Sequence, residues 1–119
     1  MRTENLLNDV DAGVQQISAN KCIDCGQRAE WILVVDSTGL DGTPELFIEQ
    51  GFTSSCNVSP TKWVIIPNKC EVNSFFPIDD TQIVIEKSDL KGNFFRIRIE
   101  PNDNTTGIIS ATWSYKTFT

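Results

Sequence analysis

The chain has 119 residues, 39% of them hydrophobic, and sixteen Asp and Glu outnumber ten Lys and Arg for a net charge of −6. This length suits one domain able to bury a core without disulfides or metal. The acidic balance argues against duplex nucleic acid and anionic membranes as partners, because both bind by having phosphates neutralised. No apolar run nears the ~20 residues of a membrane helix, and no apolar h-region follows Met1-Arg2-Thr3-Glu4-Asn5, so export through a Sec signal is not expected.

Residues 1–28 are polar, with scattered Leu6, Leu7, Val10, Val14 and Ile17. Leu6, Val10 and Val14 fall at helical spacing, so a short amphipathic helix is one expectation. Gly13 and Asn8-Asp9 oppose it, and an extended arm with a strand near Val14 to Ala19 is the reading preferred. The boundary is placed at 28, leaving 29–119 as the domain proper.

From Ala29 on, strand signals recur with turn chemistry between them. Trp31, Leu33 and Val35 alternate with Ile32 and Val34, and Asp36 to Gly42 reads as a turn. Leu46 and Ile48 share one face of the next strand. Phe52 to Pro60 is a polar loop. Trp63, Ile65 and their neighbours form a strand apolar on both faces, and Asn68 to Asp80 is loop-like around Phe75 and Phe76. Ile83 and Ile85 mark a further strand. The clearest alternation sets Phe95, Ile97 and Ile99 against Arg96, Arg98 and Glu100, which indicates an antiparallel sheet with one wet side. The last strand turns Ile109, Ala111, Trp113 and Tyr115 inward. The pattern predicts an all-β, antiparallel, jelly-roll-like sandwich. Its expected core is Trp31, Leu33, Val35, Leu46, Ile48, Trp63, Ile65, Ile83, Ile85, Phe95, Ile97, Ile99, Ile109 and Trp113.

Candidate chemistry is sparse. Cys22 and Cys25 form a C-x-x-C, but Cys56 and Cys70 lack the close spacing of a second zinc-binding pair, and nothing around the motif reads as a thioredoxin-like unit. A Cys56–Cys70 disulfide across neighbouring loops is one outcome; reduced, partly buried cysteines are the commoner one. The chain has no His, which removes Ser-His-Asp and Cys-His catalysis. The carboxylate pairs Asp79/Asp80 and Glu45/Glu49 read as solvated acids, and Asp36, Asp41, Asp79, Asp80 and Asp103 match no spaced calcium loop. No enzyme, metal or cofactor is therefore expected. Arg96 and Arg98 share a strand face, the place where a local basic patch would form. Trp31, Trp63 and Trp113 read as core rather than as a platform for sugars. Asn57-Val58-Ser59 and Asn104-Thr105-Thr106 fit the N-glycosylation pattern.

The order of segments carries a likeness. Ala29-Glu30-Trp31-Ile32-Leu33-Val34-Val35 leads into Asp36-Ser37-Thr38-Gly39. Then come Leu46-Phe47-Ile48-Glu49-Gln50-Gly51, Lys62-Trp63, Gly92-Asn93-Phe94-Phe95-Arg96-Ile97 and the closing Asn104-Thr105-Thr106-Gly107-Ile108-Ile109-Ser110-Ala111. Over residues 29–116 this style of alternation and turns resembles the small β-sandwich virion proteins of tailed bacteriophages, including crAss-like phages. The resemblance implies a capsid-associated, head-fibre, attachment or connector role, with other virion proteins and further copies of the chain as partners. It implies assembly in the host cytoplasm, and it brings no catalytic or ligand residue and no small-molecule substrate. In that setting the arm would hook into a neighbouring subunit, with Leu6, Leu7, Val10 and Val14 as anchors. The competing expectation is a carbohydrate-binding sandwich module.

Overall fold

A computed structural model describes residues 2–22, 28–66, 75–79, 82–87 and 92–118. They hold ten β-strands and no helix: β1 (Arg2–Asp11), β2 (Gln16–Ile17), β3 (Lys21–Cys22), β4 (Arg28–Thr38), β5 (Glu45–Gly51), β6 (Val64–Ile65), β7 (Phe76–Pro77), β8 (Ile83–Lys87), β9 (Phe94–Glu100) and β10 (Ile108–Phe118). All pairings are antiparallel.

The first sheet runs β1-β10-β4-β8, and the second runs β2-β9-β5-β6. β3 joins β9 beyond β2, and β7 joins β5 beyond β6. Each of these two pairs of short segments acts as one interrupted strand, which makes eight strands among the described residues. The first strand pairs with the last, the second with the one before the last, and the chain winds inward through both sheets. That order is a jelly roll, two four-stranded layers built from Greek keys.

Two-residue alternation builds the layers. On β9, Phe95, Ile97 and Ile99 face the core, and Leu46 and Ile48 of β5 sit opposite Ile99 and Ile97. In the first sheet Leu33 lies opposite Trp113, and Val35 opposite Ala111. All of these side chains are buried. The Phe95 and Trp113 rings stack across the interior at 5.0 Å between centroids, joining the two layers. Burying an aromatic of this size contributes about 2–3 kcal/mol. Ile78, Ile66 and Ala12 complete the interior. The backbones of Trp31, Ile83 and Ile85 pair in the first sheet; their side chains lie outside the described residues.

The expected N-terminal arm is corrected. Residues 2–11 form a strand paired along β10, and β2 and β3 belong to the second sheet, so neither an arm nor a helix is present in 2–22. Leu6 and Leu7, expected as anchors for a partner, are each only 8% exposed and sit in the core. Val10 packs against it. Val14 is 50% exposed in the turn after β1. The physical reason is an irregular strand. Register shifts fall between Asn5 and Leu7 and between Leu7 and Val10, and Asp9 takes a positive φ of 48°. A bulge lets neighbouring residues share a face, so two adjacent leucines can both turn inward and the periodicity disappears from the sequence. The Ser110 hydroxyl secures the bulge, accepting from Asp9 N at 2.9 Å and donating to Asp9 Oδ1 at 2.8 Å. Glu4 then reaches Lys21 of β3 at 3.4 Å, tying the edges of the two sheets.

Candidate functional site

The outer face of the second sheet carries a ladder of charges and rings. The register sets Arg96 opposite Glu49, and Arg98 opposite Phe47. Arg96 Nε donates to Glu49 Oε1 at 2.9 Å, and Arg98 Nε lies 3.6 Å from the same oxygen. Arg98 Nη1 donates to Glu100 Oε1 at 2.5 Å, and Gln15 Nε2 donates to it at 2.6 Å. The bond from Gln15, together with the one from Arg98 and that residue's positive charge, holds the Glu100 carboxyl below its ordinary value, although burial opposes them. The guanidinium of Arg96 lies 4.2 Å from the centre of the Trp63 ring, and that of Arg98 4.2 Å from Phe47. Phe75 packs on Phe47 with centroids 6.0 Å apart.

Glu49 is only 6% exposed. A carboxylate withdrawn this far from water is stable only with charged partners, and both arginines supply them. Arg96 and Arg98 are thus committed to carboxylates and ring faces rather than forming a free basic patch. Two expected core residues are corrected here. Trp63 is half-buried against Arg96 on this outer face, and Ile65, opposite Glu49, shares it. The inward position belongs to Ile66, whose N–H donates to Ile48 O at 2.7 Å. A strand of two residues offers too short a period to fix which isoleucine faces the core.

Next to this face, at one end of the sandwich, lies the loop from 52 to 63. It exposes Phe52 (57%) and Val58 (49%). Its near end is braced: Thr53 N donates to Asn93 Oδ1 at 2.8 Å, and Asn93 Nδ2 donates to Thr53 Oγ1 at 2.9 Å. Its far end is braced by Pro60, which covers Gly51 so closely that a Cβ there would sit 2.5 Å from the proline ring. Between them, Cys56 is disulfide-bonded to Cys22 of β3, Cα atoms 5.7 Å apart. This corrects the cysteine expectations. Cys56 pairs neither with Cys70 nor as a free thiol, and Cys22 does not pair with its C-x-x-C neighbour. Cys25 and Cys70 lie outside the described residues. Sequence spacing could not reveal the bond, because β9 and β5 bring Cys22 and Cys56 together across a separation of 34 residues.

The opposite end is organised by Asn104, which the sequence offered only as a glycosylation acceptor. It is 1% exposed. Its Oδ1 accepts from Asp41 N at 3.0 Å and Gly42 N at 2.9 Å, and its Nδ2 donates to Ala12 O at 2.9 Å and Thr106 O at 2.8 Å. One side chain pins the turns after β1, β4 and β9. Asp41 accepts from Thr105 through both backbone and hydroxyl, and these bonds lower its pKa, the hydroxyl most. Gly107 closes the corner with φ +96°, where a Cβ would meet Thr38 O at 2.6 Å. Of the other carboxylates noted in the sequence, Asp103 belongs to this corner, accepting from Thr43 N at 3.5 Å, and the rest are dispersed. Glu45 accepts from Asn102 at 2.5 Å and Asp36 from Gln82 at 2.8 Å. Asp79 is exposed, and Asp80 lies outside the described residues. No group of three potential metal ligands occurs among the described residues.

Fold and surface together define an antiparallel jelly-roll sandwich with a charge-and-ring face beside a braced apolar loop. No protein-family model matches the sequence, and no curated protein matches it.

Proposed function

We propose that the chain is a structural component of a bacteriophage virion, capsid-associated or part of an attachment or connector structure, acting through contacts with other virion proteins and further copies of itself. The observation that carries this reading is the strand order, since the jelly roll is an architecture that viral capsid domains use. A fold alone does not name a function, and the likeness of residues 29–116 to tailed-phage virion proteins supplies the rest. The surface suits the role. Phe52 and Val58 are held out to solvent on a loop already braced at both ends, and a pre-organised loop loses little entropy when a partner covers it. In this reading the protein is assembled in the host cytoplasm, and the Cys22–Cys56 bond closes only after release into oxidising surroundings.

Mass spectrometry of purified particles tests the proposal. The chain should be present at a fixed copy number per particle. Its absence from particles, with a strict monomer by light scattering, would sink the reading.

A carbohydrate-binding module is the second reading, and one observation favours it: Trp63 lies on the outer face instead of in the core. Lectin domains also use the jelly roll. Arg96 occupies one face of that ring, so a sugar would have to stack on the other. Glycan-array binding that disappears in Trp63→Ala would establish this reading over the first.

A further inference from the structure

We propose that the Cys22–Cys56 disulfide is a redox-sensitive clamp that holds residues 54–59 in place for partner contact and releases them on reduction; the inference rests on the reading of this loop as a contact surface. Three observations carry it. First, among the described residues, the one hydrogen bond that reaches 54–59 from outside comes from the adjacent Thr53. Their bonds are local: Thr53 Oγ1 to Ser55 O, Asn57 N to Ser55 Oγ, and Val58 N to Ser55 O. Second, the anchors at Thr53 and Pro60 hold the segment near its ends, the Thr53 hydroxyl reaching in as far as Ser55 O, and the bond from Cys56 ties its middle covalently to β3. Third, Cys56 is an exposed residue while Cys22 is half-buried, which makes the Cys56 side of the bond the one open to an incoming thiolate.

The chemistry is ordinary exchange with a dithiol reductant. Its thiolate attacks Cys56 Sγ, the Cys22 thiolate leaves and takes up a proton, and the reductant's second thiol displaces Cys56 as it closes its own disulfide. The cysteine pair gains two electrons and two protons, and the reductant loses the same. Val58 goes with the released segment, whereas Phe52 stays fixed beside Gly51 and Thr53.

The test compares backbone order parameters by NMR in the full chain, oxidised and after dithiothreitol, with the Cys22→Ser/Cys56→Ser double variant alongside. At Asn57 and Val58 the order parameter should fall from about 0.85 to below about 0.6 on reduction, with the Trp113 and Ile97 signals in place. Unchanged order at Asn57 and Val58 would overturn the clamp. So would loss of the Trp113 and Ile97 signals on reduction, which would make the bond a staple for the whole fold. The measurement needs no partner, so a failed virion reading, decided by the particle analysis, is distinguishable from a failed clamp.

Discussion

Asn104 donates to the carbonyl of Ala12 at 2.9 Å across 92 positions of sequence, and it is buried while doing so. The same amide accepts from the backbone of Asp41 and Gly42. Replacing it strands the buried Ala12 carbonyl and takes the partner from the part-buried Asp41 and Gly42 amides, and a buried group left unpaired costs about 1–3 kcal/mol. Asn104→Ala should therefore lower unfolding stability by about 2–4 kcal/mol. Urea denaturation measures this, and a loss below about 0.5 kcal/mol, the range of ordinary surface substitutions, would refute the pinning role.

Leu6 and Leu7 separate a strand from an arm. If β1 belongs to the core, Leu6→Ala and Leu7→Ala each cost about 2–3 kcal/mol. Were they anchors on a loose terminus, both variants would match the parent protein in the same denaturation experiment.

Glu49 and Arg96 should be energetically coupled. Glu49→Ala leaves two arginines facing a half-dry surface and is expected to cost about 2 kcal/mol, below the 3–5 of a fully buried pair because the arginines keep some contact with water. A double-mutant cycle with Arg96→Ala should return a coupling of about 1–2 kcal/mol. Strict additivity would mean that the 2.9 Å contact carries no stability of its own.

Acid should loosen the Asn104 corner through Asp41. Its folded pKa lies below the ordinary 3.8, chiefly because the Thr105 hydroxyl and then the Thr105 amide donate to it. A depressed carboxylate contributes stability above its unfolded pKa and loses it as the pH falls through the folded one. Carboxyl NMR titration should place the Asp41 midpoint below 3.8, and Thr105→Val should raise it. Glu100, likewise held below its ordinary 4.5 chiefly by the Gln15 hydrogen bond, should rise towards that value in Gln15→Ala. A midpoint indifferent to these substitutions would count against the hydrogen bonds as the cause.

Much of the sandwich can be read directly from residue order. Phe95, Ile97 and Ile99 alternate cleanly with Arg96, Arg98 and Glu100 because β9 is long, paired on both sides and wet on one face. Leu33, Val35, Leu46, Ile48, Ile109 and Trp113 followed from the same rule and are buried. The rule fails where strands are short or bulged. β6 and β7 have two residues each, too few for alternation to favour Ile66 over Ile65 or to mark Ile78 as buried. β1 carries register shifts, and its leucines imitated a loose terminus. The outer ladder was half legible: the arginines shared a predicted face, but their partner Glu49 lay on a different strand and read as a solvated acid.

Local order along the chain thus determined the all-β class, the two wet and dry faces of the long strands and most of the interior, because side-chain alternation is a property of each strand alone. The tertiary structure decided the rest: the bond between Cys22 and Cys56, the burial of Asn104 and Glu49, the place of Trp63 outside the core, and β1 as a wall of the first sheet. Each of these joins segments far apart in sequence, and nearness of that kind exists only once the two sheets have closed on one another.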